Sequence, residues 1–377
     1  MIFFDNASTS QICKEAIDEI VKYSYDDFYN PSALYSCSVD INTKLNKARK
    51  DILGYLGATQ FDKFVFTSGA TEANNTIINS CARNKNAKML FSVGEHPSVY
   101  NVAKELINRG FNVDFVNLKA DGTLDEKDLL AKLDVDTSFV SFMHVSNETG
   151  AINDVQKLVQ LIKSKSKALV HCDGVQAFMK IPVSLAKLGV DFYSISAHKF
   201  HGPKGVGGFY VKNGVNIKPL LIGGGQETNV RSGTENVPAI FGMLKAIEIN
   251  HAKINNNLQH VQQLSDYLQQ TLSQNIILNS ANKSPYIHAL TFSGVRAETL
   301  LYMLQEKGIL VGNGSACSSK HRDNRVLSAI GLPRNQIEGS IRVSFSEKNT
   351  LDEVKYFVEV VNSLVDEYIK RTNGGVK

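Results

Sequence analysis

The sequence is short of several things, and each absence narrows the function. No run of about 18 apolar residues occurs, so no segment reads as a membrane span. The first ten residues carry no Lys or Arg ahead of a hydrophobic stretch, so no secretory leader is read there, and a cytoplasmic location is expected. The five cysteines, Cys13, Cys37, Cys81, Cys172 and Cys317, are far apart and show neither CxxC nor Cys/His ligand spacing. That argues against a zinc site or a disulfide framework and for a reducing compartment. Excess charge is also scarce: 41 Lys and Arg against 37 Asp and Glu leave +4, too little for a dominating nucleic-acid footprint. Internal repeats and low-complexity segments are absent.

What is present is ordinary in bulk. The 377 residues, 43% of them apolar and 21% charged, suit a soluble globular protein of about two domains. Short apolar runs at 64–67, 89–93, 112–116, 138–145, 168–172, 191–195 and 206–211 alternate with helical patterns, which predicts βαβ units on a largely parallel sheet. One crossover helix is legible over 155–163, where Val155, Leu158, Val159 and Ile162 share a face. From 250 to 274 the period becomes that of a long helix, and a domain boundary is placed there. A smaller α+β region follows, with strands at 289–293, 310–311 and 340–345 and helices at 298–306 and 351–369.

Four segments carry chemistry. Thr67-Ser68-Gly69-Ala70-Thr71-Glu72 joins a strand to a helix, where free backbone N–H groups and the helix dipole suit a phosphate. It matches neither GxxxxGK[ST] nor GxGxxG, and taken alone an ordinary Ser or Thr N-cap is the favoured explanation. Ser194-Ile195-Ser196-Ala197-His198-Lys199 places a lysine at the C-terminal end of a strand, where open α/β sheets bind ligands and an amine can form a Schiff base. His171-Cys172-Asp173-Gly174-Val175-Gln176 ends the preceding strand with an Asp able to salt-bridge a protonated pyridine nitrogen, although Asp-Gly is also a turn signal. Gly312-Asn313-Gly314-Ser315-Ala316-Cys317-Ser318-Ser319 is a small-residue loop that lets a thiol project, with mobility expected from its glycines. The other four cysteines read as structural, buried thiols. Phosphate cradle, strand-end Asp and strand-end Lys, in this order, are the parts needed to hold pyridoxal phosphate (PLP).

These residues resemble the NifS/IscS-like cysteine desulfurases among the PLP-dependent class-V aminotransferases. The likeness runs over nearly the whole chain in five blocks: FTSGATEAN at 66–74, HVSNETG at 144–150, SAHKFHGPKG at 196–205, RSGT at 231–234 and GSACS at 314–318. It implies the PLP-dependent transferase type I fold, with a large, mainly parallel-sheet α/β domain (13–250) that binds PLP. A small α+β domain (251–377 with the N-terminal segment 1–12) would carry the catalytic Cys loop. Residue by residue, the resemblance implies Lys199 as the Schiff-base lysine and proton shuttle, and Asp173 as partner of the pyridine nitrogen. Gln176 would contact the phenolic oxygen, and His96 would stack on the ring and serve as a second proton carrier. Ala70, Thr71, Ser196 and His198 would hold the phosphate, joined by Thr234 of a neighbouring subunit in a homodimer. Asn147 and Arg342 would hold substrate and cofactor oxygens, Arg342 by gripping the substrate carboxylate, and Asn30 would also meet substrate.

The implied reaction removes sulfur from L-cysteine, leaving L-alanine and a persulfide on Cys317 for an acceptor protein in iron–sulfur cluster assembly or in tRNA or cofactor thiolation. The alternatives are another class-V PLP enzyme, such as a selenocysteine lyase or an aminotransferase, and a non-catalytic sulfur-relay component. The GSACS block counts against the first, and the joint presence of Lys199, Asp173, His96, Cys317 and Arg342 against the second. One departure is Tyr35, in Asn30-Pro31-Ser32-Ala33-Leu34-Tyr35, where family members commonly carry His. A second is Asn313, where Ser is frequent. The segment from Gly312 to Arg325 is expected to be a mobile arm whose far half is made basic by Lys320, His321, Arg322 and Arg325. For the protein as a whole, no direct nucleic-acid or membrane partner is expected.

Overall fold

A computed structural model describes residues 1–274, 276–278, 283–292, 294–314 and 324–373. Its twelve strands are β1 (Ile2–Phe4), β2 (Lys63–Thr67), β3 (Lys88–Ser92), β4 (Val113–Val116), β5 (Thr137–Met143), β6 (Leu169–Asp173), β7 (Phe192–Ser196), β8 (Gly207–Val211), β9 (Ile276–Leu278), β10 (Ile287–Phe292), β11 (Ile309–Asn313) and β12 (Ser340–Ser344). Seven form one sheet in the order β2-β8-β7-β6-β5-β3-β4 and five a second in the order β1-β11-β12-β10-β9.

The large sheet is parallel except for β8, which runs antiparallel to both β2 and β7. Parallel neighbours need a crossover of a dozen or more residues, and the ten between β7 and β8 allow only a hairpin-like return. That return contains Lys199, so chain economy puts the lysine at the carboxyl edge of the sheet. Val155, Leu158, Val159 and Ile162 are buried, as expected, in the crossover helix Val155–Lys165. Apolar cores lie on both faces of this sheet. One packs against the helices Ser36–Tyr55 and Val155–Lys165, the other against Ala70–Cys81 and Pro97–Asn108.

The boundary expected near Asn250 falls inside one uninterrupted helix, Val237–Thr271, of 35 residues. Its first half, Val237 to Ile247, packs on the large sheet, and Val261, Leu264 and Leu268 pack on the small one. The early half is apolar almost all round, which hides the 3.6-residue stripe. Its start is nevertheless written in the sequence: the Asn236 side chain accepts a bond from the Ala239 amide at 3.3 Å, and Pro238 occupies the first turn. Asn250 is buried at mid-helix and donates to the carbonyls of Phe200 and Ala246.

β1 belongs to the small sheet, pairing in parallel with β11. The expected mobility of Gly312 is corrected. It is a strand residue opposite Arg342, and a Cβ there would stand 2.5 Å from Asp5 Oδ1 and 3.0 Å from Arg342 Nη2. Gly314 is equally confined, 2.8 Å from the Ser340 carbonyl oxygen. Both glycines serve close approach of chains rather than motion. Residues 315–323, including Cys317, Lys320, His321 and Arg322, lie outside the described residues, and with them most of the expected arm. Among the described residues, no helix is long and apolar enough to cross a membrane.

Candidate active site

The carboxyl ends of β2, β5, β6 and β7 converge on a cavity of about 540 Å³, the place where open α/β sheets present ligands. Ala70, Thr71, His96, Asn147, Asp173, Gln176, Ser196, His198, Lys199 and Arg342 all line it. Asn30 and Thr234 do not. Both are exposed, and the Asn30 side chain accepts from the Ser32 amide at 2.9 Å.

One wall is the start of the helix Ala70–Cys81. No side chain caps it: Gly69 holds the N-cap position, the Thr67 hydroxyl turns to the Gly69 carbonyl, and the Ser68 amide donates to Glu72. The ordinary Ser/Thr cap is therefore absent, and the first amides of the helix face the cavity beside Ser196 and His198. Burial works against the ionised form of Glu72. Hydrogen bonds from Arg231 and Ser68 more than offset that and hold the carboxyl below its usual range. Arg231 of the RSGT block is thus tied to this first turn by a 2.9 Å ion pair.

The floor is built around Asp173, whose two oxygens accept from Asn74 Nδ2 and from the Val175 amide, each at 3.0 Å. Asn74 went unassigned from sequence. It stands one turn after Ala70, so a helical reading of FTSGATEAN puts the anion-facing amides and the Asp173 partner on one element. His96 caps the helix Pro97–Asn108, its Nδ1 accepting from the Ser98 amide at 3.2 Å. Burial, with the charges of Lys199, Arg325 and Arg342 beyond, lowers its pKa against the pull of Asp173. The ring is therefore neutral at pH 7 with its proton on Nε2. Lys199 Nζ donates to the carbonyls of Ala7 at 2.6 Å and Ser8 at 2.8 Å.

Arg342 reaches in from β12. Its guanidinium donates to the Asn147 carbonyl, Asp5 and the Ser8 hydroxyl, while its buried Nε finds no partner among the described residues. A free donor of this kind, on a fork already oriented by Asp5, suits a carboxylate ligand. Carbonyl-seeking amine, fixed carboxylate, neutral imidazole, unspent helix amides and anchored guanidinium form a donor set that fits a phosphorylated pyridine aldehyde and an amino-acid carboxylate.

Sequence reasoning also missed a polar chain behind this floor. Glu95, fully buried, accepts from the Ser141 hydroxyl at 2.7 Å; Ser141 meets His171 at 2.9 Å and His171 meets Ser194 at 2.9 Å. Burial, reinforced by the Asp173 charge, pushes the Glu95 carboxyl up to about 8, and burial pushes His171 down to about 4. The native state therefore holds an extra proton on Glu95 between the unfolded value near 4.5 and about 8, so stability falls as pH rises through that window. His171 acts in the opposite sense, losing stability as pH falls from about 6.5 to 4. Urea unfolding of Glu95→Gln from pH 6 to 7 is expected to show a stability-versus-pH slope less negative than that of the parent by nearly one proton, about 1.3 kcal/mol per pH unit. A slope equal to that of the parent protein would contradict the assignment.

Arg325, expected on the basic outer half of the arm, is turned inward. Its guanidinium lies 3.7 Å from the Tyr100 ring centroid and donates to the Glu95 carbonyl. Of the cysteines taken as structural, Cys172 is buried, Cys13 and Cys81 are partly so, and Cys37 is exposed, against expectation. Burial pushes the Cys81 thiol up to about 12.

Known proteins resemble this chain over nearly its whole length. Residues 2–357 match the model of the class-V aminotransferase family. A cysteine desulfurase from Trichormus azollae is 34% identical over 374 residues, 97% of this chain and 93% of the relative. The cysteine desulfurase IscS of Dictyoglomus turgidum is 35% identical over 375 residues, 97% of this chain and 95% of the relative. A solved NifS-like protein superposes with a TM-score of 0.91 at 34% identity, covering 97% of this chain and 99% of the other. A structure described as SspA in complex with cysteine reaches 0.82 at 27% identity, over 93% of this chain and all of the other.

Proposed function

The chain belongs to the class-V aminotransferase family, and from that premise we propose that it is a cysteine desulfurase, removing sulfur from L-cysteine to leave L-alanine and a persulfide on Cys317. The observation that carries this reading is a single cavity gathering Lys199, Asp173, His96, the unspent N-terminus of the helix Ala70–Cys81 and Arg342.

Bound PLP would supply an electron sink for the substrate carbon. The Ala70 and Thr71 amides, Ser196 and His198 would hold its phosphate, Asp173 would keep the pyridine nitrogen protonated, Gln176 would meet the ring oxygen, and the His96 ring would cover one face. Arg342 and Asn147 orient the cysteine carboxylate. Lys199 exchanges its contacts to Ala7 and Ser8 for the Cα proton, which it moves without leaving the cavity. The Cys317 thiolate attacks the substrate sulfur. An S–S bond forms as the carbon–sulfur bond breaks, and the carbon keeps the electron pair and takes up a proton to become alanine. Equal amounts of alanine and sulfide from cysteine and a thiol reductant test the reading; pyruvate, or an amino group passed to a keto acid, would favour a different class-V reaction.

A homodimer completes the site in this reading. Asn30 and Thr234 sit on surfaces outside the cavity, among exposed apolar side chains that include Phe28, Leu34 and Ile222, and Ile222 adjoins Leu221, whose carbonyl binds the Ser232 amide. A second copy would cover these and deliver Thr234 to its neighbour's phosphate. Sedimentation of the loaded protein is expected to give a dimer; an active monomer would refute it. The sulfur acceptor is a protein that takes the persulfide from Cys317.

A further inference from the structure

Four residues beyond Gln176, a lysine is buried that the reaction does not use. Lys180 is 6% exposed, and its Nζ donates to Gln176 Oε1 at 2.7 Å. The other end of that amide, Nε2, donates to the Ala7 carbonyl at 2.9 Å, the same oxygen that Lys199 binds at 2.6 Å. Met179, immediately before, holds a left-handed φ of 61°, a conformation a side chain of this kind adopts only where its surroundings enforce it. The turn spends that strain to aim Lys180 inward.

We propose that Lys180 is a positioning residue that fixes the Gln176 amide with Nε2 toward the cavity, so that Gln176 can meet the cofactor's ring oxygen only as a donor. The two ends of an amide are unlike, Oε1 only accepting and Nε2 only donating. If Oε1 faced the cavity it would oppose an anionic oxygen, and the contact would turn repulsive. With Oε1 engaged by Lys180, Nε2 alone is left for the Ala7 carbonyl or for a ligand that displaces it. A buried lysine is costly unless its N–H groups are used, and here the amide carbonyl and the Tyr286 ring, 5.9 Å away, meet it. The charged groups bearing on Lys180 are Lys199, Arg342 and Glu347. Burial and the two cations push its pKa down to about 7, with Glu347 opposing. An amine has N–H to give in either protonation state, so titration does not remove the donor.

The inference rests on the PLP reading and is tested by spectroscopy. Wild type, Lys180→Met, Gln176→Ala and the double variant are reconstituted with PLP, and the pH midpoint of the visible absorbance and the cofactor dissociation constant are measured. Lys180→Met is expected to raise the midpoint and weaken PLP binding by roughly 2- to 10-fold, the worth of one hydrogen bond. In the Gln176→Ala background it should add nothing. An equal shift in both backgrounds would mean that Lys180 acts only as a distant charge and would overturn the proposal, as would no shift in either. Should Lys180→Met fail to fold, Lys180→Gln, which keeps an amide donor, is expected to retain the wild-type midpoint; a displacement as large as that of Gln176→Ala would overturn it. A wild-type protein that takes up no PLP refutes the cofactor reading itself, whereas a loaded wild type with an unmoved Lys180→Met refutes the positioning role alone.

Discussion

Lys199→Ala, reconstituted with PLP, is expected to lack the visible absorbance of a lysine-bound cofactor and to lose cysteine turnover by about 10⁴-fold or more, the upper range for a group acting in both attachment and proton transfer. The turn between β7 and β8 holds the Lys199 amine against the Ala7 and Ser8 carbonyls. Of the neighbouring lysines, Lys180 is committed to Gln176, whereas Lys204, five residues on, also lines the cavity, so the Lys199→Ala/Lys204→Ala variant is the control for any residual absorbance. Absorbance spectra and alanine assays on one preparation check this. A coloured variant with more than about one per cent of parental activity would remove Lys199 from both roles.

Cys317→Ala is expected to separate the two halves of the chemistry. It should keep the visible absorbance and still change colour with cysteine, yet form alanine about 10³-fold more slowly under reductant, because nucleophile and cofactor lysine act at different steps. The remaining thiols offer no substitute. Cys172 is sealed in the core, Cys81 is held protonated by burial, and neither Cys13 nor Cys37 lines the cavity. Mass spectrometry of the parent protein after cysteine treatment should find one added sulfur on Cys317. Near-parental alanine formation by the variant would exclude the persulfide route.

The large sheet was legible because strands buried on both faces read as apolar runs bounded by polar turns, and the cavity residues Asp173 and Lys199 sit just where such runs stop. Periodicity failed where burial is all-round, as in the first half of the helix Val237–Thr271. It was equally blind to the reversed direction of β8, which depends on connection length. Glu95, Asn74 and Lys180 escaped notice because their significance lies in partners across the fold, not in spacing. Gly312 was misread for the same reason: it leaves room for the Asp5–Arg342 pair, more than 300 residues from Asp5 but only 30 from Arg342.

The pairing of β1 with β11 also sets an order of assembly. Ile2 must wait for Ile309, and at translation rates of roughly 5–20 residues per second that wait is about 15–60 s. The large sheet can close around its own core long before then, and Ser10 and Cys13 can anchor to it through the His198 and His201 carbonyls, but β1 itself and the Arg342 side of the cavity wait for the small sheet. A nascent chain on the ribosome therefore has a pocket that lacks Arg342 until synthesis is nearly complete.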